Sequence, residues 1–402
     1  MAKKFVSCLN IKSDAIVAAP VSVDPFVPSS ANIFPKMTSC INDTAWELWE
    51  FEAFSANGEV TVGISLYRDA RGVEKGGFHA EINAIWPDGK KWGETLYFTE
   101  SIITAEGASL NEGQVHGVWK STDDEDQTTR AISFSIGADQ ASATVNFSVP
   151  NQVTGTIELR SCGAERKSRL PVSEEAALLC PSVYYMFPMG PVTADVDMTF
   201  SAVADDAERK LCIRSNGSDD NGYGGMVRGW SSKAWPQFMD DAYYVVAKVG
   251  PYMLQLLRII ASATADDSSH VAARLYRGDE LLCAANQVLQ EQPQEAGSVA
   301  RRICQDVVLI EKVPQGKDGQ GGLAGDFRDK NIGYVIEFVS AQQKRWRFEA
   351  HHKRALWSEP TSAPGPEGTG KSGWIEAVFG GSEGELFKGT GVGGQLQIQV
   401  PQ

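Results

Sequence analysis

Residues 46–54 read WELWEFEAF, and their period of two specifies a β-strand. Trp46, Leu48, Glu50 and Glu52 share one face, and Glu47, Trp49, Phe51 and Ala53 share the other. Asn57-Gly58 follows as a hairpin signal, so residues 60–67 form the partner strand. A further strand at 78–86 closes on Pro87-Asp88-Gly89. The series continues at 96–103, 115–119, 130–136, 143–149, 155–160 and 192–203. Short strands punctuated by turns specify an all-β chain built as a sandwich or barrel.

Beyond residue 225 the same pattern resumes at 252–263, 270–277, 280–284, 307–311, 333–340, 343–350, 371–379 and 386–400. Two β domains are therefore expected, 1–225 and 226–402. Between them the stretch 222–254 opens on glycines and carries Trp230, Trp235, Tyr243, Tyr244 and Tyr252. Such aromatic density suits either a pocket for a large apolar ligand or a plain interface core. Residues 1–40, rich in Pro and Ser, are expected to lie as an extended arm over the first domain. A short helical turn is expected at 171–177 and an aromatic loop or strand end at 184–190. Helical periodicity is confined to 298–304, and a long loop is expected at 358–370.

Composition excludes several function classes. The formal charge of −14 over 402 residues removes the phosphate-neutralising contribution that drives nucleic-acid binding, and disfavours an anionic membrane surface. No run approaches 18 apolar residues, and the lysines at 3 and 4 precede no signal-like segment. The seven cysteines, at 8, 40, 162, 180, 212, 283 and 304, form no CxxC, which fits reduced thiols in a cytoplasmic protein.

The chemical motifs are sparse. Residues 365–372, GPEGTGKS, match a phosphate-loop pattern, but a Pro-rich segment precedes them and a β-prone run follows, where nucleotide binding needs a strand and then a helix. Lys371 is left as a cation presented from a Gly-rich loop. His351 and His352 point to opposite faces of a strand, which disfavours one shared metal ion and favours the surface. No GxSxG, HExxH or CxxC is present, so no metal and no cofactor is expected. Glu50 and Glu52 leave two readings open. Either their face is inward and two carboxylates approach the interior, or it is the solvent face and Trp49 and Phe51 form the core. Tyr67 ends the partner strand, and Asn83 sits mid-strand, where an amide hints at a polar task.

WELWEFEAF at 46–54, the Asn83 strand, PSVYYMFPMG at 181–190, the block at 222–254 and GKSGWIEAVFGG at 370–381 together resemble the fungal decalin-forming Diels–Alderases. The resemblance spans nearly the whole chain. It implies an N-terminal β-sandwich and a C-terminal lipocalin-like β-barrel, with substrate held between them. It implies intramolecular [4+2] cyclisation of a polyenoyl tetramic acid, without cofactor, beside a hybrid polyketide–peptide synthase. It assigns pocket positions to Glu50, Glu52 (usually Asp in the family), Tyr67, Asn83, one of Tyr184 and Tyr185, Trp235, Ala242, Tyr244, Trp357 and Lys371. Of these, Lys371, Asn83 and Glu50 are the expected catalytic residues. Lys371 is expected to polarise the carbonyl conjugated to the alkene and Asn83 to hold the polar head. Glu50 is expected to accept a bond from the head or to orient Lys371.

Overall fold

The computed structural model of the chain describes residues 3–13, 15–110, 113–122, 128–162, 170–203, 206–215, 221–262, 268–288, 305–315 and 323–398. The chain divides into two compact units, Met1–Ala234 and Trp235–Gln402. Among the described residues the strands form two sheets, one of fifteen strands in the first unit and one of nine in the second.

In the first unit one half of the sheet runs Gly222–Ser231, Trp46–Ser55, Thr61–Arg68, Phe78–Ile85, Lys91–Phe98. The other half runs Lys3–Asn10, Glu100–Gly107, Gln114–Thr122, Thr129–Ile136, Ser142–Val149, Val153–Ser161, Val192–Val203, and joins the first at Gly222–Ser231. All these pairings are antiparallel. The two halves fold onto one another as a β-sandwich. Trp49 meets Trp119 and Phe134 at ring distances of 5.6 and 6.1 Å, and Phe51 meets Phe134 at 5.5 Å. All four rings are fully buried. Truncating such an aromatic to Ala costs about 3–5 kcal/mol, so this face holds the sandwich together.

The strand Gly222–Ser231 changes the expected domain boundary. A cut at residue 225 would sever a continuous strand whose Arg228 pairs with Trp49, whereas the units divide after Ala234. The glycines at 222–225 serve close strand packing: a Cβ on Gly224 would lie 2.0 Å from the Glu52 carbonyl oxygen. Residues 96–103, expected as one strand, are two strands broken at Thr99.

The N-terminal arm begins with the edge strand Lys3–Asn10, paired to Glu100–Gly107. Its later part is fixed by a buried ion pair. Arg228 Nη2 donates to Glu47 Oε2 at 2.8 Å, with both side chains fully buried. Arg228 also donates to the Asn32 carbonyl at 3.1 Å, and Glu47 accepts the Lys36 and Met37 amides at 2.7 and 2.6 Å. Burial and the Arg228 charge push Lys36 down to about 8. The expected helical turn is Glu174–Ala177, with Ser173 Oγ accepting the Ala176 amide at 3.3 Å.

The second sheet runs Glu280–Gln287, Ser269–Arg277, Tyr252–Ile260, Asp241–Val249, Phe387–Gln397, Gly370–Ser382, Arg345–Pro360, Asn331–Val339, Val307–Pro314. A bridge from Val288 to Val308 links its two ends, so the sheet nearly closes as a barrel. Tyr243, Val245, Ala247, Leu254, Leu256, Ile336 and Phe348 belong to its core. Residues 358–370 are not a long loop. They form a hairpin, with the Thr361 amide bonded to the Thr369 carbonyl at 2.9 Å and Gly368 to Gly365 at 2.9 Å. Residues 365–372 therefore lead into a strand, which removes the helix a phosphate site needs. The helical expectation at 298–304 lies outside the described residues. No helix among the described residues is long and apolar enough to cross a membrane.

Candidate active site

The two readings of the Trp46–Ser55 strand are both partly correct. Trp49 and Phe51 are core, yet the opposite face is also withdrawn from water, with Glu52 only 4% exposed. Register explains what gathers on that face. Glu50 lies opposite Ser65, which lies opposite Glu81. Glu52 lies opposite Gly63, then Asn83, then Gly93. The two glycines leave room for the two polar side chains. A Cβ on Gly63 would lie 3.7 Å from Glu52 Cγ, and one on Gly93 would lie 2.8 Å from Asn83 Oδ1. A row of alternating polar residue and glycine thus lays a carboxyl and an amide flat along the sheet.

The carboxyls of Glu50 and Glu52 hydrogen-bond to one another, and Ser65 bonds to Glu50. A proton must sit between them, because two carboxylates at contact repel. Burial pushes Glu50 up to about 7. Burial, followed by the charge of Glu50 and its hydrogen bond, raises Glu52 well above the carboxylate range. At neutral pH this pair presents a protonated carboxyl, which donates a hydrogen bond.

Tyr185 joins this face and Tyr184 does not. The strand Val183–Met186 pairs with Gly222–Ser231, placing Tyr185 opposite Gly229 and Tyr184 opposite Trp230. Tyr184 stacks on the buried Trp230 ring at 4.5 Å and bonds to Glu174. Burial, then the charges of Glu50, Glu52 and Tyr67, raises the Tyr185 hydroxyl well above its ordinary value. Tyr67 is raised by burial and by Glu81, and its ring stacks on His79 at 4.5 Å. Both phenols are therefore neutral donors.

Apart from Trp235, the remaining expected residues gather on one face of the second unit's sheet. Tyr244, Gly394, Gly373 and Trp357 lie opposite one another across four strands. Both aromatic rings lie over the glycines. A Cβ on Gly394 would lie 2.4 Å from the Tyr244 ring, and one on Gly373 would lie 2.4 Å from the Trp357 ring. The next row on that face is Ala242, Leu396, Lys371 and Glu359. Lys371 Nζ pairs with Glu359 Oε2 at 3.1 Å and lies 5.8 Å from the centre of the Trp357 ring. Its setting differs from the expected flexible loop at the barrel mouth. It is the second residue of the strand Gly370–Ser382 and lies on the outer face, since Val378, an odd number of residues along the same strand, and Tyr243, in the next row, belong to the barrel core. Its orienting carboxylate is Glu359 of the adjacent strand. Trp235 stands on a one-turn 3-10 helix, half-buried, with its ring 5.3 Å from Phe238. Of the aromatics in the central stretch, Trp230, Tyr243 and Tyr252 are core, whereas Tyr244 and Trp235 retain exposed surface.

Two features lay outside the sequence reading. Asp69, Arg71, His79 and Glu81 adjoin Tyr67 and Glu50. His352, expected at the surface, is buried in the barrel, where its Nδ1 lies 3.0 Å from Glu376 and its ring stacks on Trp374 at 3.8 Å. No cluster of three metal-ligating side chains occurs among the described residues.

The family model described as Diels-Alderase-like matches residues 1–401. The chain belongs to that family. It is 64% identical to the Diels-Alderase gNR600 of a fungal species (strain NRRL 50135) over 411 residues, covering all of both chains. It is 50% identical to the Diels-Alderase phm7 of Pyrenochaetopsis sp, covering 98% of each. Among solved structures, CghA superposes with a TM-score of 0.88 at 32% identity, covering 99% of this chain and 100% of that one. This Diels-Alderase is thus an enzyme of pericyclic cycloaddition in secondary metabolism. Its fold of β-sandwich and near-closed barrel is that of CghA.

Proposed function

We propose that this Diels-Alderase closes a decalin by intramolecular [4+2] cycloaddition of a linear polyene attached to a tetramic acid, and sets the stereochemistry of the new ring. The observation that carries the reading is the protonated Glu50–Glu52 pair, whose Glu52 lies in one row with Asn83, beside Tyr67 and Tyr185. An apolar polyene alone has no use for five buried or half-buried hydrogen-bonding groups. A head rich in carbonyls does, and an anionic tetramate is not repelled by a carboxyl that holds its proton. The related CghA has also been solved with Sch210972, and that structure superposes with a TM-score of 0.87 at 32% identity.

The reaction balances without an acid, base or cofactor. Two π bonds of the diene and one of the alkene become two σ bonds and one π bond, and no atom enters or leaves. The protein's part is shape and polarisation. Flat side chains such as Tyr244, Trp357 and Trp235 restrict the folds open to the polyene, and holding a reactive conformer contributes up to roughly 7–11 kcal/mol in favourable intramolecular cases. Lys371 withdraws electrons from the carbonyl conjugated to the alkene, which speeds the closure further. The substrate would come from a hybrid polyketide–peptide synthase, since that chemistry joins a polyene to an amino-acid-derived ring.

A second reading has support in the raised carboxyl of Glu50: an acid at about 7 also suits hydration or double-bond isomerisation. One incubation separates the readings. The pure protein is given a linear polyenoyl tetramate, and the product is analysed by mass and chiral chromatography. One decalin diastereomer of unchanged mass, formed faster than in buffer, is the expected result. A gain of one water or a shifted double bond without ring closure establishes the second reading, and an unchanged ligand leaves a carrier.

A further inference from the structure

Tyr67 stands at the end of its strand, and a half-buried phenol at a strand end has rotamers to choose from. What fixes it is a cluster none of whose members belongs to the site assigned above. Asp69 and His79 are 2% and 4% exposed. Asp69 Oδ2 accepts from Arg71 Nε at 2.6 Å, and its Oδ1 lies 3.2 Å from His79 Nδ1. Arg71 Nη2 lies 3.4 Å from His79 Nε2. The carboxylate thereby bonds the guanidinium and lies against the edge of the imidazole, and both flat groups face Tyr67: the imidazole stacks at 4.5 Å with an interplanar angle of 15°, and the guanidinium carbon lies 4.8 Å from the ring centre. His79 Nε2 also lies 3.7 Å from Glu81 Oε1, and Glu81 is the carboxyl that bears on Glu50. Burial alone would raise Asp69, but His79 and Arg71 outweigh it and hold it at about 2, so Asp69 is a carboxylate across the working pH range.

The turn that carries Asp69 and Arg71 is packed to hold its shape. A Cβ on Gly72 would lie 2.1 Å from the Gly77 carbonyl oxygen, and Gly77, at φ 155°, would place a Cβ 1.9 Å from that of Phe98. Asp69 and His79 are buried while the Arg71 side chain is about half exposed, and burying a carboxylate is an expensive way to stabilise a sheet, because apolar residues of similar volume serve as well or better. It does supply rigidity at one ring.

We infer that Asp69, Arg71 and His79 form a positioning clamp that aims the Tyr67 hydroxyl at the polar head of the substrate. The inference rests on the reading that Tyr67 faces that head. The clamp touches no reacting atom. Its variants should act only through Tyr67, and a double-mutant cycle reads this directly. With a linear polyenoyl tetramate as probe, Tyr67→Phe and His79→Ala should each lower kcat about five- to tenfold, the worth of one hydrogen bond. The double variant should be no slower than Tyr67→Phe alone. His79→Phe, which restores a flat ring against Tyr67, should recover most of the rate. If His79→Ala does not fold, Asp69→Asn, alone and in the Tyr67→Phe background, decides the same question. Losses that multiply, or a His79→Ala enzyme with unchanged kcat, overturn the inference. A crystal structure of Asp69→Asn is the arm that needs no substrate. The clamp requires Tyr67 to leave its rotamer or occupy several, and a Tyr67 ring held in place refutes it even if the wild-type protein proves inactive on the probe, an outcome that instead counts against the proposed function.

Discussion

Glu50→Gln tests the shared proton, the feature on which the polar half of the site depends. Folded Glu50 loses its proton near 7 and the unfolded residue near 4.5. At about 1.36 kcal/mol per pH unit, that difference is a ceiling of about 3 kcal/mol. The group is half-buried, so the measured value should fall below the ceiling. The sign follows from proton counting. Between pH 4.5 and 7 the folded chain holds a proton that the unfolded chain has lost, so stability falls as pH rises through this window and levels off above it. Gln resembles the protonated carboxyl and cannot ionise. The variant should match the wild type at pH 4.5 and exceed it at pH 8. Urea unfolding followed by tryptophan fluorescence across pH 4.5–8 reads the difference. Curves that stay parallel across the window, or a variant less stable at pH 8, would refute the shared proton and with it the neutral hydrogen-bond donor.

Lys371→Met keeps the length of the side chain and removes its charge; kcat should fall roughly ten- to a hundredfold with the diastereomer ratio unchanged, and an unchanged rate in a single-turnover assay would make the Lys371–Glu359 pair a surface contact only. Gly93→Ala should push the Asn83 amide off the sheet, since the new Cβ falls 2.8 Å from Asn83 Oδ1; steady-state kinetics should show a lower kcat/KM with little change in melting temperature. Glu47→Gln leaves the fully buried Arg228 without its counter-charge and should cost about 3–5 kcal/mol by urea titration, while Glu47 and Arg228 exchanged together for apolar residues should recover part of that loss.

Much of this was legible in the sequence because strands announce themselves locally. The period of two at 46–54 and the Asn57-Gly58 turn placed Glu50, Glu52 and Tyr67 on neighbouring strands, and Gly58 indeed turns at φ 67°. The resemblance supplied most of the remaining positions. Local pattern fails where function depends on which strand lies opposite which. Asp69 and Arg71 sit in a turn, and His79 meets Tyr67 only because Leu66 pairs with Ala80. No run of residues signals that register. The choice between Tyr184 and Tyr185 failed for the same reason: adjacent residues differ only in face, and the face is fixed by Gly229, more than forty residues away. His352 was misplaced at the surface because alternation says that two neighbouring histidines diverge, not which of them turns inward.

The position of Gly222–Ser231 bears on how the chain comes into being. It fills the gap between Val192–Val203 and Trp46–Ser55, so residues separated by most of the first unit's length must meet at its centre. A nascent chain that has reached residue 200 already displays Trp46–Ser55 with one side unpaired, and its edge is apolar and aromatic. Folding of this unit must wait for synthesis to pass Ser231, and contacts of such long range form slowly. The interval is one in which a strand carrying two tryptophans and two phenylalanines is open to other chains. The buried Arg228–Glu47 pair can form only when this last strand of the first unit arrives, so it joins the latest-made strand to one of the earliest.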